Sequence, residues 1–242
     1  MNDERSLREL ELLGVARLYG LASTGASAVS SPAATQVEEA TAAVAPAVAG
    51  ASWDALREMV AACRACGLCK QRKQAVFGVG ALSGPWLFVG EGPGADEDEQ
   101  GEPFVGQAGR LLDNMLAAIG CERGRDTYIA NVVKCRPPGN RTPTAEESAA
   151  CAPFLDRQIE LVAPRLIVAL GKTAVIRLLG TDASVASLRR KVHRYRGIPV
   201  VVTYHPAYLL RSLTEKAKAW EDLLFARRTL REFAADSLII TP

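Results

Sequence analysis

Four short, continuously apolar stretches, separated by segments with helical signals, limit most strongly how this chain can fold. They cover Trp86–Val89, Tyr128–Val133, Leu166–Leu170 and Val200–Tyr204. Strands that are apolar throughout are typical of a parallel sheet that is covered on both faces. Strands that alternate with helices favour parallel pairing through right-handed crossovers. The sequence therefore predicts an α/β domain built on a parallel sheet.

Capping residues indicate where the intervening helices begin and end. Ser52 is a good N-cap, and Gly120 is a natural C-cap. Thr144 with Glu147 three residues later forms the pattern of a capping box. The predicted helices cover residues 52–62, 107–119, 144–163, 172–179 and 215–234.

The first fifty residues lack the pattern of a packed core. Residues 1–20 have leucines near helical spacing and predict a short amphipathic helix. Residues 21–51 are rich in Ala, Ser, Thr, Val and Pro, which is typical of a flexible linker. We therefore expect one domain over residues 52–236 with a flexible N-terminal extension, whose helix is a candidate docking element for a partner protein.

Composition excludes few functions but indicates a compartment. No apolar run approaches the roughly 20 residues that a membrane-spanning helix needs, and the acidic start at Asp3 and Glu4 is unlike a secretory signal. We expect a cytoplasmic protein without a membrane contact. In that reducing compartment, the six cysteines are better explained as ligands or buried thiols than as disulfides. The formal net charge of +2 neither requires nor excludes a nucleic-acid partner.

Polar and glycine residues follow each of the predicted strands. A glycine-rich segment with a carboxylate, residues 90–94, follows the first strand, and Asn131 lies near the end of the second. The third strand ends at Gly171 and Lys172, and the fourth ends at His205. Because ligands bind beyond the carboxyl ends of parallel strands, we expect these residues to surround one pocket.

The cysteine spacing indicates a metal site. Cys63 and Cys66 form a C-x-x-C pair, and Cys135 and Cys151 lie far along the chain. A pair plus two distant cysteines is a common way to place four thiolates around a metal. Iron–sulfur clusters and zinc both accept four thiolates, so spacing leaves both open, beside a set of buried thiols without metal. Two cysteines are expected not to be ligands: Cys69 and Cys121.

Three segments, in order, resemble the motifs of family 4 uracil-DNA glycosylases. They are GEGPGADEDEQGEPFVGQAG at residues 90–109, NVVKCRPPGNRTP at residues 131–143 and HPAYLLR at residues 205–211. The resemblance implies a three-layer α/β/α domain around a four-stranded parallel sheet. It also implies excision of uracil from single- or double-stranded DNA, which leaves an abasic site and is the first step of base excision repair.

The resemblance and the chemistry together suggest roles for the pocket residues. Phe104 would stack on a flipped uracil, Asn131 would read its Watson–Crick edge, and Glu97 would guard against the methyl group of thymine. His205 would donate to the departing uracil oxygen, because negative charge develops on the leaving base. Glu91 would orient water or stabilise the sugar cation. Two further substrate-binding candidates are Gly92, which stands where better-known uracil glycosylases carry an Asp, and Asn140.

The resemblance also implies a cofactor. A [4Fe–4S] cluster would be held by Cys63, Cys66, Cys135 and Cys151. DNA backbone contacts need cations, and an apolar side chain can fill the gap left by a flipped base. The candidate DNA-binding residues are Arg136, Arg141, Lys172 and Arg211, with Leu210 as a wedge or, equally, as a core residue.

Two alternatives stay open at this point. A related superfamily member binds uracil-DNA covalently through a histidine in the central loop, but residues 135–143 contain no His. From another class, the chain would be a non-catalytic nucleic-acid-binding module that a metal braces.

Overall fold

The computed structural model describes residues 46–238, with side chains up to residue 233. The predicted helix at residues 1–20 and most of the predicted linker lie outside this range. Among the described residues, no helix combines the length and apolarity needed to cross a membrane.

The four apolar stretches form the centre of a sheet. Strands β2 (Trp86–Gly90), β3 (Thr127–Asn131), β4 (Leu166–Leu170) and β6 (Ile198–Thr203) pair in parallel in the order β3-β2-β4-β6. The predicted α/β class and the parallel pairing of these strands are confirmed.

The expected strand count was wrong, because two antiparallel edge strands complete a six-stranded sheet. Strand β1 (Val79–Gly80) pairs with β3, and β5 (His193–Tyr195) pairs with β6. These strands have two and three residues, which is too short for an apolar run to mark them. The positive side chains around β5 are typical of a protected sheet edge.

Helices flank the sheet. The five predicted helices lie close to their expected bounds, whereas the short helices at residues 95–100, 185–188 and 206–209 were not predicted. Ser52 caps the first helix through the Ala55 N–H, and Thr144 and Glu147 form the predicted capping box. The helices are α1 (Trp53–Ala62), α2 (Ala95–Gln100), α3 (Gln107–Ala118), α4 (Ala145–Val162), α5 (Lys172–Leu179), α6 (Val185–Leu188), α7 (Pro206–Leu209) and α8 (Glu215–Leu238). Short 3-10 turns lie at Gly67–Lys70 and Pro138–Asn140.

Both faces of the sheet are buried, as the unbroken apolar strands predicted. On β2, Leu87 and Val89 pack in one apolar cluster with residues of α1, α4 and α5. The alternate residues, Trp86 and Phe88, pack in a second cluster with residues of α3 and α8. Successive side chains of a strand point to opposite faces, so these two clusters make the three-layer arrangement.

Packing begins earlier than the sequence predicted. Residues 46–49 are helical, and Val48 is 1% exposed within the cluster of α1 and α4. Arg157 of α4 donates from Nε to the Ala51 carbonyl at 2.9 Å. Placing Val48 and Ala51 in a linker was therefore wrong, because a small apolar residue can pack against a helix without any periodic signal.

Candidate active site

A cavity of about 480 Å³ opens at the carboxyl ends of the four parallel strands. Most predicted site residues surround it. They are Glu91, Gly92, Glu97, Phe104, Asn131, Asn140, Arg141, Lys172, His205 and Arg211. Arg136 and Leu210 do not line it.

Phe104 is held in an uncommon backbone conformation at the cavity. Its φ of 58° is left-handed, and the residue is 5% exposed. Its ring stacks on the His205 imidazole, with centroids 5.5 Å apart and planes 30° apart. Gly90 makes this approach possible, because a Cβ there would lie 2.5 Å from both the Phe104 ring and Asn131 Oδ1.

Asn131 presents an unpaired oxygen at the end of β3. The residue is 2% exposed, and Oδ1 has no hydrogen-bond partner among the described residues. A buried polar atom without a partner is costly, so this oxygen is suited to a ligand donor. The buried Lys134 ammonium donates to the Asn131 carbonyl at 2.9 Å and holds the strand end.

His205 is fixed as a neutral ring. Its Nδ1 accepts the Ala207 N–H at 3.2 Å, so the proton of the neutral ring is on Nε2. Burial, and after it the Arg211 charge, lower the pKa of His205 to about 4, although the Glu97 carboxylate opposes the shift. Gly171, with φ of 84°, allows the close approach, since a Cβ there would lie 2.9 Å from the His205 Cβ. The ring can therefore donate from Nε2 at neutral pH.

This lowered pKa predicts a pH dependence of stability. The unfolded chain binds a proton at His205 below pH 6.5, whereas the folded chain does so only near pH 4. The free energy of unfolding should therefore fall as the pH falls from 7 to 5, by about 2 kcal/mol from this group. Denaturant unfolding of wild type and His205→Gln at both pH values measures it. Equal pH dependence in the two proteins would contradict the lowered pKa.

Glu97 organises two loops beside the cavity. Its Oε2 accepts the Gly94 N–H at 2.9 Å. Its Oε1 accepts the N–H groups of Val105 and Gly106 at 3.0 and 3.1 Å. Both carboxylate oxygens are thus occupied by backbone donors on either side of Phe104. This bracing function was not foreseen from the sequence.

Glu91 and Asn140 each form a hydrogen bond with a side chain that does not itself line the cavity. The Thr173 hydroxyl donates to Glu91 Oε2. Arg136 donates from Nε to Asn140 Oδ1 at 2.7 Å, and Asn140 adopts a left-handed φ of 56°. Arg136 therefore lies one contact away from the cavity.

Three of the five predicted DNA-contacting residues line the cavity, namely Arg141, Lys172 and Arg211. Arg141 makes a two-pronged ion pair with Glu147 at 2.7 and 2.8 Å, and Lys172 pairs with Asp182 at 2.7 Å. Leu210 is 37% exposed, whereas its neighbour Leu209 is buried in the core. The exposed leucine is therefore the candidate wedge.

A second, small cavity gathers five cysteines. Its cysteines come from the end of α1, the turn at Gly67–Lys70, the loop after β3 and helix α4. They are Cys63, Cys66, Cys69, Cys135 and Cys151. Cys121 packs against the α3 and α8 cluster instead. The structure thus brings the four predicted ligands together, and Cys69 with them.

Two hydrogen-bond donors contact the sulfurs of this cavity, whereas burial opposes their ionisation. Arg72 donates from Nη1 to Cys135 Sγ at 2.9 Å, and the Lys134 N–H donates to Cys151 Sγ at 3.3 Å. Burial raises the pKa of Cys66 to about 11 and that of Cys151 to about 12, so the apolar wall alone disfavours thiolates. Within residues 46–238, no group of three or more His, Cys, Asp or Glu side chains has a geometry that could hold a metal ion. The residue types fit an iron–sulfur group.

A short segment links the two cavities. Arg72 also donates to the Ala61 carbonyl at 2.5 Å, and the next residue, Lys73, donates its N–H to Asp98 at 2.9 Å. Asp98 is 2% exposed and follows Glu97 on α2. Sequence reasoning missed Arg72 because its partners lie 11 and 63 positions away and no motif marks it.

Comparisons with known proteins agree with this geometry. A family profile, the Uracil DNA glycosylase superfamily, matches residues 77–224. The Type-4 uracil-DNA glycosylase of Thermotoga maritima is 48% identical over 163 residues, which cover 66% of this chain and 84% of that protein. The Type-4 enzyme of Pyrobaculum aerophilum is 45% identical over 176 residues, covering 69% and 89%.

A third relative gives the same assignment. The Type-4 uracil-DNA glycosylase of Archaeoglobus fulgidus is 44% identical over 165 residues, which cover 65% of this chain and 82% of that protein. The profile spans all six strands of the sheet and every residue that lines the cavity. With three motifs in order, the matching fold and these identities, the chain belongs to the uracil DNA glycosylase superfamily and, within it, to the type-4 uracil-DNA glycosylases.

Proposed function

We propose that this protein hydrolyses the bond between uracil and deoxyribose in DNA and leaves an abasic site. The observation that carries the proposal is the placement of three groups in one cavity. They are the Phe104 ring, the unpaired Asn131 Oδ1 and the neutral His205 imidazole.

The first requirement is to hold a base outside the helix. Extruding a nucleotide costs a few kcal/mol, and stacking on an aromatic ring contributes about 1–3 kcal/mol per base. Phe104 offers that ring. The Asn131 amide pairs one acceptor and one donor with N3–H and O4 of uracil. Cytosine presents the opposite pattern on this edge, so the amide would have to turn over to pair with it.

The second requirement is to stabilise the leaving group. As the glycosidic bond breaks, its electron pair passes to the base and positive charge develops on the sugar. The Nε2–H of His205 would donate to uracil O2 where the negative charge grows, without a change in the charge of the ring. Glu91, fixed by the Thr173 hydroxyl, would orient the water that attacks C1′ or stabilise the sugar cation.

The remaining predicted residues would act on the substrate from the rim. Gly92 stands where a Cβ would meet the Val133 side chain at 2.7 Å, so a carboxylate in that position would not fit without movement. Glu97 would hold the loops so closely around the base that the methyl group of thymine is excluded, and Asn140 would contact the substrate beside it. The rim cations and wedge would bind the DNA strand: Arg136, Arg141, Lys172, Arg211 and Leu210.

We also assign a [4Fe–4S] cluster to Cys63, Cys66, Cys135 and Cys151, with Cys69 lining the cavity as a non-ligand. When bound, the cluster would cross-link three chain segments and supply four thiolate–iron bonds. Arg72 would compensate part of the negative charge on Cys135, and its neighbour Lys73 would hold α2 in register with the cavity through Asp98.

The test of function is the release of uracil from single- and double-stranded oligonucleotides, read as strand scission after alkali. We expect scission at uracil and none at thymine or cytosine in the same position. Intact uracil-containing strands after prolonged incubation with holoprotein would refute the proposal, and retained binding without scission would identify a nucleic-acid-binding module.

Asn131→Leu tests base recognition separately. The variant keeps the side-chain size but removes both hydrogen-bonding groups. We expect uracil release to fall by about 10- to 100-fold, which corresponds to about 1–3 kcal/mol for unpaired polar groups of the base. Single-turnover rates with uracil-containing single strands measure it. An Asn131→Leu rate within twofold of wild type would remove the amide from recognition.

A further inference from the structure

Arg123, a residue that no sequence motif marks, contacts the loop that carries Phe104. It lies in the turn between α3 and β3, about twenty positions from that loop. Its Nη1 donates to the Pro103 carbonyl at 2.8 Å, and its Nη2 donates to the Phe104 carbonyl at 2.7 Å. One guanidinium thus binds two successive carbonyls of the segment in which the chain turns left-handed.

Two carboxylates aim this guanidinium at the loop. Asp113 of α3 accepts from Nε at 2.9 Å, and Glu102 lies 3.4 Å from Nη1. The Arg123 side chain is 19% exposed, so it is shielded more than an ordinary surface arginine. Because these carboxylates orient the planar guanidinium, the Arg123 side chain loses little conformational entropy when it binds both carbonyls.

The loop needs such a hold for a steric reason. A left-handed φ at an aromatic residue is strained and persists only where its surroundings impose it. The Phe104 carbonyl also lies where a Cβ on residue 109 would be 1.8 Å away, so Gly109 lets α3 pack directly on it. The absence of a side chain at Gly109 makes room for the Phe104 carbonyl, and Arg123 binds that carbonyl through a hydrogen bond.

We propose that Arg123 is a positioning residue that holds the Phe104 backbone left-handed and thereby keeps the ring stacked on His205, ready to receive a base. The hold of Arg123 on the loop follows from these contacts, whereas its consequence for base excision rests on the proposed function. The matched control is Arg125, two residues along the same turn, which makes exposed ion pairs with Glu122 and Asp126.

The first measurement does not depend on activity. The chain has two histidines, so the imidazole resonances of His205 can be assigned by substitution, with His193 as an internal reference. In Arg123→Met, the His205 ring signals should move as they do in Phe104→Leu, because the ring current of the stacked phenyl is lost. In Arg125→Met they should stay in place. Unmoved His205 signals in folded Arg123→Met would overturn the proposal.

The second measurement is a cycle of uracil-release rates. Arg123→Met should lower the single-turnover rate by about 10- to 100-fold, since small misplacements of binding groups have effects of this size. In a Phe104→Ala background the same change should have an effect below about twofold, because its target is gone. Arg123→Lys, which can bind one carbonyl, should recover part of the rate. Equal effects in both backgrounds would mean that Arg123 acts elsewhere, and failure of wild type to release uracil would count against the function alone.

Discussion

Replacement of His205 by alanine is expected to lower the single-turnover rate of uracil release by about 100- to 1,000-fold. Removing one preorganised donor from developing negative charge has an effect of this size in enclosed sites. Here the donor is held by the Ala207 N–H at Nδ1, and burial keeps the ring neutral. The measurement is a rate with enzyme in excess over a uracil-containing single strand.

His193→Ala is the matched control for this prediction. His193 lies on β5, and its Nε2 contacts the Leu188 carbonyl at 2.9 Å. It does not line the cavity, so its loss should leave the rate within about threefold of wild type. A His205→Ala rate close to that of His193→Ala would remove the imidazole from the reaction.

The second large effect is expected for Cys135→Ser, which should lose the visible iron–sulfur absorption together with iron and labile sulfide. Cys135 is 6% exposed and receives the Arg72 guanidinium. Without the proposed cluster, the C-terminal end of α1 and the loop after β3 would lose their shared anchor. The free energy of unfolding should fall by several kcal/mol, because metal binding energy is folding energy in such sites.

Two other cysteines provide the comparison. Cys121 packs against the apolar cluster of α3 and α8, so the Cys121→Ser variant should keep iron, sulfide and colour. Cys69→Ser, in the same cavity, should also keep them if its thiol is a bystander. Colour and iron retained in Cys135→Ser would exclude that residue as a ligand, and loss of iron in Cys69→Ser would assign the site differently.

Much of the site could be predicted because strand ends meet in space. Asn131 and His205 are 74 positions apart, yet Asn131 ends strand β3 and His205 comes shortly after strand β6. Parallel strands place such ends on one rim, which is where the cavity opens. The capping box at Thr144 marked the start of α4 in the same way, because its signal is local in sequence.

The missed features are those without a local signal. Edge strands β1 and β5 have two and three residues, too few to show a period. Glu97 was expected to guard against the methyl group of thymine, and only the fold shows that backbone N–H groups from two loops converge on its carboxylate. Arg123, Thr173 and Arg72 act on partners 11 to 82 positions away.

By itself, the sequence determined the class of fold, the edge of the sheet on which the site lies and the chemical groups found there. This was possible because hydrophobic periodicity, helix capping and residue type can each be recognised within a short stretch of the chain. Only the tertiary structure decided the state of those groups. The neutral His205, the left-handed Phe104 and the unpaired Asn131 oxygen depend on burial and on donors from distant segments. Burial and these distant donors exist only after the strands have assembled into the sheet, so they cannot be recognised in any single segment of the sequence.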